Sequence, residues 1–165
     1  MEIMITDRKG VETLSLMPFK NSTALISITD YDYTYANLKH KPHHLLQIAF
    51  DDVPVGDGFE EEEGRKLSNS EISELEKRYH SITEKQISQI INFYTEIKDE
   101  VELLICQCEH GQSRSAAIAA AFSEYEHGTG IEIFSNDNYY PNKSIFRKVL
   151  TKLNINSTEL NSTHS

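Results

Sequence analysis

The segment from Leu103 to Ala121, LLICQCEHGQSRSAAIAAA, constrains the fold more than any other part of the chain. An apolar run of strand length enters a short polar loop, which passes directly into an Ala-rich helix. Backbone N–H groups of such a loop can converge on one point, and the positive end of the helix dipole adds to their field. The order of strand, loop and helix therefore predicts an anion site, suited to a phosphate dianion, at the end of a strand.

Four apolar runs of strand length are followed by polar or turn-forming residues, and they predict the strands of a sheet. They lie at Glu2 to Ile5, Ala24 to Ile28, Leu45 to Phe50 and Val101 to Gln107. Helical patterns separate these runs, which implies crossover connections and a largely parallel arrangement. The predicted fold is α/β, a single domain with a central, mainly parallel sheet of four to five strands flanked by helices.

Three segments carry helical patterns. Between Thr83 and Lys98, apolar side chains recur at the spacing of one helix face, and Thr83 is placed to act as the N-cap. The Ala-rich segment from Ser115 to Tyr125 suits a tightly packed helix. Apolar residues from Ile145 to Leu153 predict a last helix, with Asn142 as its cap.

A length of 165 residues with 38% hydrophobic residues suits one core and one domain, which we place at residues 1–153. Within it, residues 56–80 are acidic and poor in large apolar side chains. They are predicted to form a mobile loop or lid, with a short helix beginning at Ser70. Residues 154–165 are mostly Asn, Ser and Thr, and they are predicted to form a flexible C-terminal tail.

The charge balance disfavours several classes of partner. Sixteen basic residues against twenty-six acidic ones give a formal net charge of -10, which repels nucleic-acid backbones and anionic membrane surfaces. Neither a signal peptide nor a membrane-spanning run is predicted. Cys106 and Cys108 are too close for a disulfide framework and match no usual zinc pattern, and Cys106 is predicted to be a small core residue. We therefore expect a reduced, cytoplasmic protein of undetermined oligomeric state.

The polar loop holds residues suited to phosphate chemistry. A thiol at its start lies in the field described above, which favours the thiolate, so Cys108 is the candidate nucleophile. Arg114 can present its planar guanidinium group to two phosphate oxygens as charge redistributes in the transition state. Ser113 and Ser115 place hydroxyl groups beside the sulfur, and Ser115 is our choice for stabilising the thiolate as it leaves an intermediate. The residues predicted to surround the phosphate are Glu109, His110, Gly111, Gln112, Ser113 and Arg114.

Phosphoryl transfer to sulfur also needs a proton for the departing oxygen. Asp51 and Asp52 end the Leu45 to Phe50 strand, and the carboxyl ends of parallel strands share one edge of a sheet, so both can face the Cys108 loop. We choose Asp52 as the general acid and, in the second step, as the base that activates water. Asp57 and the acidic run from Glu60 to Glu63 are competing candidates. This chemistry requires neither a metal nor a cofactor.

Cys108, Gly111, Ser113, Arg114 and Ser115 fit the pattern Cys-x-x-Gly-x-Ser-Arg-Ser, which resembles the signature of dual-specificity phosphatases. Residues 24–153 are similar to a compact bacterial-type member of that cysteine-dependent superfamily. The resemblance covers most of the chain and implies a two-step mechanism through a phosphocysteine intermediate. It supports Asp52 as the acid and suggests phosphotyrosine or related phosphoesters as substrates.

The chain departs from the family pattern in three ways. Gln107 stands where the family usually has His. The acidic insertion lengthens the gap between Asp52 and Cys108. The loop also lacks the lysines that often accompany phosphoinositide specificity.

The sequence thus predicts a protein tyrosine phosphatase, with dual specificity left open, that acts on a phosphorylated protein or peptide. One alternative is a phosphatase of a nucleotide, an RNA 5′-phosphate or an inositol phosphate. Another is a phosphate-recognition module without catalysis, against which the presence of both Cys108 and Arg114 argues.

Overall fold

The computed structural model describes residues 1–53, 61–62 and 65–163, and its strands account for the predicted sheet. In chain order the strands are β1 (Glu2–Thr6), β2 (Thr23–Thr29), β3 (His44–Ala49), β4 (Glu61–Glu62), β5 (Arg65–Lys66) and β6 (Leu103–Gln107). Within these described ranges, four of them form one sheet in the order β1-β6-β2-β3, and all its pairs are parallel. The short strands β4 and β5 pair with each other antiparallel.

Helices cover the sheet. They are α1 (Arg8–Leu14), α2 (Asn69–Arg78), α3 (Glu84–Ile97), α4 (Arg114–His127), α5 (Gly130–Phe134) and α6 (Lys143–Ser162). Strand β2 is buried along its whole length because it lies inside the sheet, next to β6. One core cluster joins the sheet to α3, α4 and α6, and a smaller one includes Val11 of α1. The predicted α/β fold, a single domain with a parallel sheet flanked by helices, is confirmed.

The parallel arrangement places all four strand ends at one edge of the sheet. Thr6 of β1 and Ser27 of β2 both pair with Gln107, and Thr29 pairs with Ala49 of β3. The residues that follow the strands, Asp7, Asp30, Phe50 and Cys108, therefore meet at this edge.

The predicted helix starts agree closely with the structure. Thr83 caps α3 in a capping box with Gln86, and the side chain of Asn142 caps α6 by accepting from the N–H of Ile145. Helices α1 and α5 were not predicted. Each has only one buried residue, Val11 and Gly130, so neither shows an apolar pattern in the sequence.

The last helix is longer than predicted. Residues 154–162, expected in a flexible tail, continue α6 to Ser162. Neither Pro nor Gly interrupts the helix there, and the flexibility of these residues stays a prediction. The buried face of α6 nevertheless ends at Leu153, and a domain boundary after residue 153 stays a prediction.

The acidic insertion is described in part. Helix α2 begins after Ser68, which forms a capping box with Glu71, so the helix predicted from Ser70 is present. Residues 54–60 and 63–64, and with them Asp57, lie outside the described residues. The prediction that residues 56–80 form a lid remains untested.

In the described part of the chain, no helix has both the length and the apolar character needed to cross a bilayer.

Candidate active site

Cys108 and Ser115 lie in contact at the two ends of the polar loop. Cys108 follows β6 directly, and Ser115 is the second residue of α4. The Cys108 Sγ atom is 3.1 Å from the Ser115 Oγ atom, and both side chains are buried. A thiolate can only accept a hydrogen bond, so in that state the Ser115 hydroxyl donates to the sulfur.

Gly111 allows the loop to pack against the end of β1. Its φ angle is 64°, a left-handed conformation that side chains with a Cβ rarely adopt. A Cβ atom at this position would lie 2.7 Å from the backbone nitrogen of Asp7 and 2.7 Å from the carbonyl carbon of Thr6. Both the backbone angle and the close approach therefore require glycine.

Arg114 is held rigidly and still has a free donor. Only 4% of the residue is exposed. Its Nη1 atom donates to the Phe50 carbonyl oxygen at 2.7 Å and lies 2.7 Å from Asp30 Oδ1. Its buried Nε–H has no hydrogen-bond partner among the described residues. A buried donor without an acceptor costs about 1–3 kcal/mol, so an anion that accepts this bond would be stabilised.

Asp51 and Asp52 both reach this site and have different partners. Asp52 Oδ1 accepts hydrogen bonds from the Ser113 hydroxyl and from the Asn142 side-chain amide, each at 2.9 Å. Asp51 Oδ1 accepts from the backbone N–H of Tyr31 at 2.9 Å. The contact with Ser113 ties Asp52 directly to the loop. Asp52 as the acid remains a prediction, and the side chains of Asp57 and Glu60 to Glu63 lie outside the described residues.

A cleft of about 450 Å³ joins these groups. Among the described residues its lining consists of Asp30, Asp51, Asp52, Val53, Tyr79, Glu109, His110 and Arg114. The cleft thus contains Arg114, both candidate acids and two of the residues predicted to surround the phosphate.

Two neighbouring segments support the loop from outside. The Glu109 carboxylate lies 2.7 Å from Arg8 Nε, and the Glu109 carbonyl accepts from the Arg8 backbone N–H at 3.2 Å. The carbonyl of Gln112 accepts from the N–H of Tyr140 at 2.8 Å. The Glu109 side chain is therefore occupied by Arg8, so any contribution of Glu109 to a phosphate comes from its backbone N–H.

The side chains of Gln107 and Cys106 are buried in the sheet and its core. Gln107 is fully buried, and its side-chain oxygen accepts from the Ser27 hydroxyl at 2.6 Å, which links β6 to β2. Cys106 is fully buried in the main core cluster, as predicted. Burial, with a smaller contribution from Cys108, raises the pKa of the Cys106 thiol well above its ordinary value.

Sequence reasoning missed three residues of the site. Asp30 pairs with Arg114, Arg8 pairs with Glu109, and Asn142, predicted only as a helix cap, also binds Asp52. Asp30 follows β2 as Asp51 and Asp52 follow β3, so the rule of the shared sheet edge could have found it. Arg8 lies two positions after the end of β1, so the same rule could have found it, whereas Asn142 precedes a helix and gives no such signal.

Comparison with family models finds no match, and no curated protein matches either. Solved structures do match. The crystal structure of human tyrosine phosphatase-like serine/threonine/tyrosine-interacting protein is 15% identical, with 82% of this chain and 78% of that chain covered and a TM-score of 0.49. The structure of PTPMT1 is 12% identical, with 97% and 92% covered and a TM-score of 0.43. PTPMT1 in complex with PI(5)P is 11% identical, with 99% and 94% covered and a TM-score of 0.44.

At such identities and scores the likeness concerns the fold. The reaction has to be inferred from the site itself.

Proposed function

We propose that this chain is a cysteine-dependent phosphatase that hydrolyses phosphomonoesters, phosphotyrosine in a protein or peptide first among them. One observation carries the proposal: the buried, unpartnered Nε–H of Arg114 at the loop that holds the Cys108 and Ser115 pair. A donor in this position fits a phosphate oxygen, and a buried sulfur beside a hydroxyl fits a nucleophile.

Binding of the phosphate uses the loop and the start of α4. Backbone N–H groups from Glu109 to Arg114 and the positive end of α4 attract the dianion. Arg114 donates from Nε to a phosphate oxygen. Because Asp30 and the Phe50 carbonyl hold Nη1, the guanidinium plane is fixed before the substrate arrives. Such preorganisation favours the transition state, since no reorganisation is needed as charge moves.

In the first step the Cys108 thiolate attacks phosphorus. The S–P bond forms, the bond from phosphorus to the ester oxygen breaks, and Asp52 gives its proton to that oxygen. The Ser113 hydroxyl and the Asn142 amide hold Asp52 at the loop. The products of the step are a phosphocysteine and the free alcohol or phenol.

In the second step water hydrolyses the phosphocysteine. Asp52, now a carboxylate, takes a proton from the water as its oxygen attacks phosphorus, and the S–P bond breaks. The Ser115 hydroxyl donates to the sulfur as the thiolate leaves. Inorganic phosphate is released, and the enzyme returns to its starting state without a redox change.

The test is hydrolysis of p-nitrophenyl phosphate with EDTA and a reductant present, for wild type and for the Cys108→Ser and Arg114→Lys variants. We expect wild-type turnover, none with Cys108→Ser, and a loss of about 100-fold or more with Arg114→Lys. Arg147→Lys, the same change on α6, is the matched control and should retain activity. Turnover that survives Cys108→Ser would contradict the proposal.

Phosphate binding separates the alternatives. If wild type hydrolyses no phosphoester but binds phosphotyrosine through Arg114, the chain is a recognition module. If it hydrolyses a nucleotide, an RNA 5′-phosphate or an inositol phosphate faster than phosphotyrosine peptides, the mechanism stands and the substrate class changes.

A further inference from the structure

Carboxylates outnumber basic groups around the cleft. Among the described residues that line it, the acidic ones are Asp30, Asp51, Asp52 and Glu109, and the basic ones are His110 and Arg114. With such a lining, the carboxylates around a bound phosphate repel further anionic groups of the substrate.

Arg8 and Arg114, the two arginines next to the loop, are already paired with carboxylates. Arg8 lies 2.7 Å from Glu109, and Arg114 lies 2.7 Å from Asp30. Asp51 and Asp52, by contrast, accept hydrogen bonds from neutral groups in the part of the chain that the structure describes. Neutral donors orient a carboxylate but leave its charge uncompensated.

The acidic groups also face the solvent side of the cleft. About half of the Asp30 side chain, 52%, is exposed, and 31% of the Glu109 side chain is exposed. Arg114, at 4% exposure, lies deeper, and its free Nε–H marks where the anion binds. A substrate therefore meets positive potential at its phosphate and negative potential around it.

One basic side chain on α2 lies close to the cleft. The Arg78 guanidinium lies over the ring of Tyr79, 5.7 Å from its centroid, and Tyr79 lines the cleft. This single charge offsets only part of the field of Asp51 and Asp52, the two carboxylates of the lining that accept from neutral groups.

We propose, building on the phosphatase function above, that the preferred substrate is a phosphomonoester flanked by positive charges, such as phosphotyrosine in a Lys- or Arg-rich peptide. Positive flanks meet Asp51, whose partner among the described residues is a neutral backbone N–H, while the phosphate meets Arg114. Substrates that carry several phosphates meet the same carboxylate and are disfavoured.

The experiment compares two phosphotyrosine peptides of equal length, one with three Lys and one with three Glu around the phosphotyrosine. Binding of both to the Cys108→Ser protein is measured at 20 mM and 500 mM NaCl, together with binding of inositol 1,4,5-trisphosphate. We expect the Lys peptide to bind at least about tenfold more tightly at low salt, and the ratio to fall below about threefold at high salt.

Asp51→Asn, made in the Cys108→Ser background, should lower the low-salt ratio by about threefold. Asp99→Asn is the matched control, because it removes the same charge from an exposed position just before β6, at the opposite edge of the sheet. It should leave the ratio unchanged.

Equal binding of the two peptides, tighter binding of the Glu peptide, or tightest binding of the trisphosphate would each overturn the inference. Hydrolysis of p-nitrophenyl phosphate by wild type is recorded in parallel and reports on the proposed function alone. Turnover without a preference for the Lys peptide refutes the inference and keeps the phosphatase. A preference for the Lys peptide without hydrolysis of p-nitrophenyl phosphate refutes the proposed phosphatase activity. The charge selectivity then stands as a property of a recognition site.

Discussion

The side-chain amide of Asn142 donates a hydrogen bond to Asp52 Oδ1 at 2.9 Å, across 90 positions of sequence. The same amide donates to the Val53 carbonyl at 2.8 Å, and the Asn142 side-chain oxygen caps α6. One buried residue therefore fixes the segment that carries the candidate acid to the start of the last helix.

Replacing Asn142 separates these two roles. Asn142→Ser keeps a capping hydroxyl but removes the amide that donates to Asp52 and to the Val53 carbonyl, so it should lower the free energy of unfolding by about 1–3 kcal/mol. We expect hydrolysis of phenyl phosphate, a poor leaving group, to fall about tenfold because the acid is less well positioned. Urea unfolding and steady-state kinetics measure the two effects. Unchanged kinetics in a stable Asn142→Ser protein would show that this contact does not position the acid.

The choice between the two aspartates follows from leaving-group dependence. Asp52→Asn removes the proposed acid, so it should slow the hydrolysis of phenyl phosphate by about 100-fold or more. The hydrolysis of p-nitrophenyl phosphate should slow far less, because its leaving group needs no proton. Asp51→Asn is the matched control, since Asp51 lines the same cleft but binds the backbone of Tyr31. If Asp51→Asn gives the leaving-group signature and Asp52→Asn does not, the assignment is reversed.

Gly111 and Gly128 form a natural pair for testing the loop. Both have positive φ, 64° and 66°, but a Cβ at Gly128 would meet nothing within 4 Å, whereas one at Gly111 meets the backbone of Thr6 and Asp7. Gly128→Ala should cost about 1 kcal/mol of stability and leave activity intact. Gly111→Ala should cost more and abolish hydrolysis, because the backbone must move. Equal effects of the two changes in urea unfolding and in activity would show that the close approach is unimportant.

The buried thiol of Cys106 makes stability depend on pH. Its pKa is raised by burial, so above pH of about 8.5 the unfolded thiol ionises while the folded one keeps its proton. The folded state then binds more protons than the unfolded state, and the free energy of unfolding falls as the pH rises. Between pH 8 and 9.5, Cys106→Ala should show a shallower fall than wild type in urea unfolding. Parallel curves for the two proteins would contradict this assignment.

The strand, loop and helix around Cys108 could be predicted because their signals are local. The apolar run of β6, the position of Gly111 and the Ala-rich start of α4 are adjacent in sequence. Thr83 and Asn142 could be assigned as caps for the same reason, since a cap acts on backbone groups within one turn.

Asp52 could be predicted only in part. Its position at the end of a parallel strand predicted the correct edge of the sheet, and the structure supplies its bonds to Ser113 and Asn142. Residues 154–162 show the converse, because their composition indicates disorder although the helix already started at Lys143 continues through them.

By itself, the sequence determined the fold class, the loop between β6 and α4, and the spacing of Cys108, Arg114 and Ser115, since all of these depend on neighbouring residues. Only the tertiary structure decided that Asp30 holds Arg114, that Arg8 holds Glu109, and that Asn142 holds Asp52. These partners lie far apart along the chain. Their contacts exist because the parallel sheet brings its strand ends to one edge, and a one-dimensional pattern carries no record of which side chains meet there.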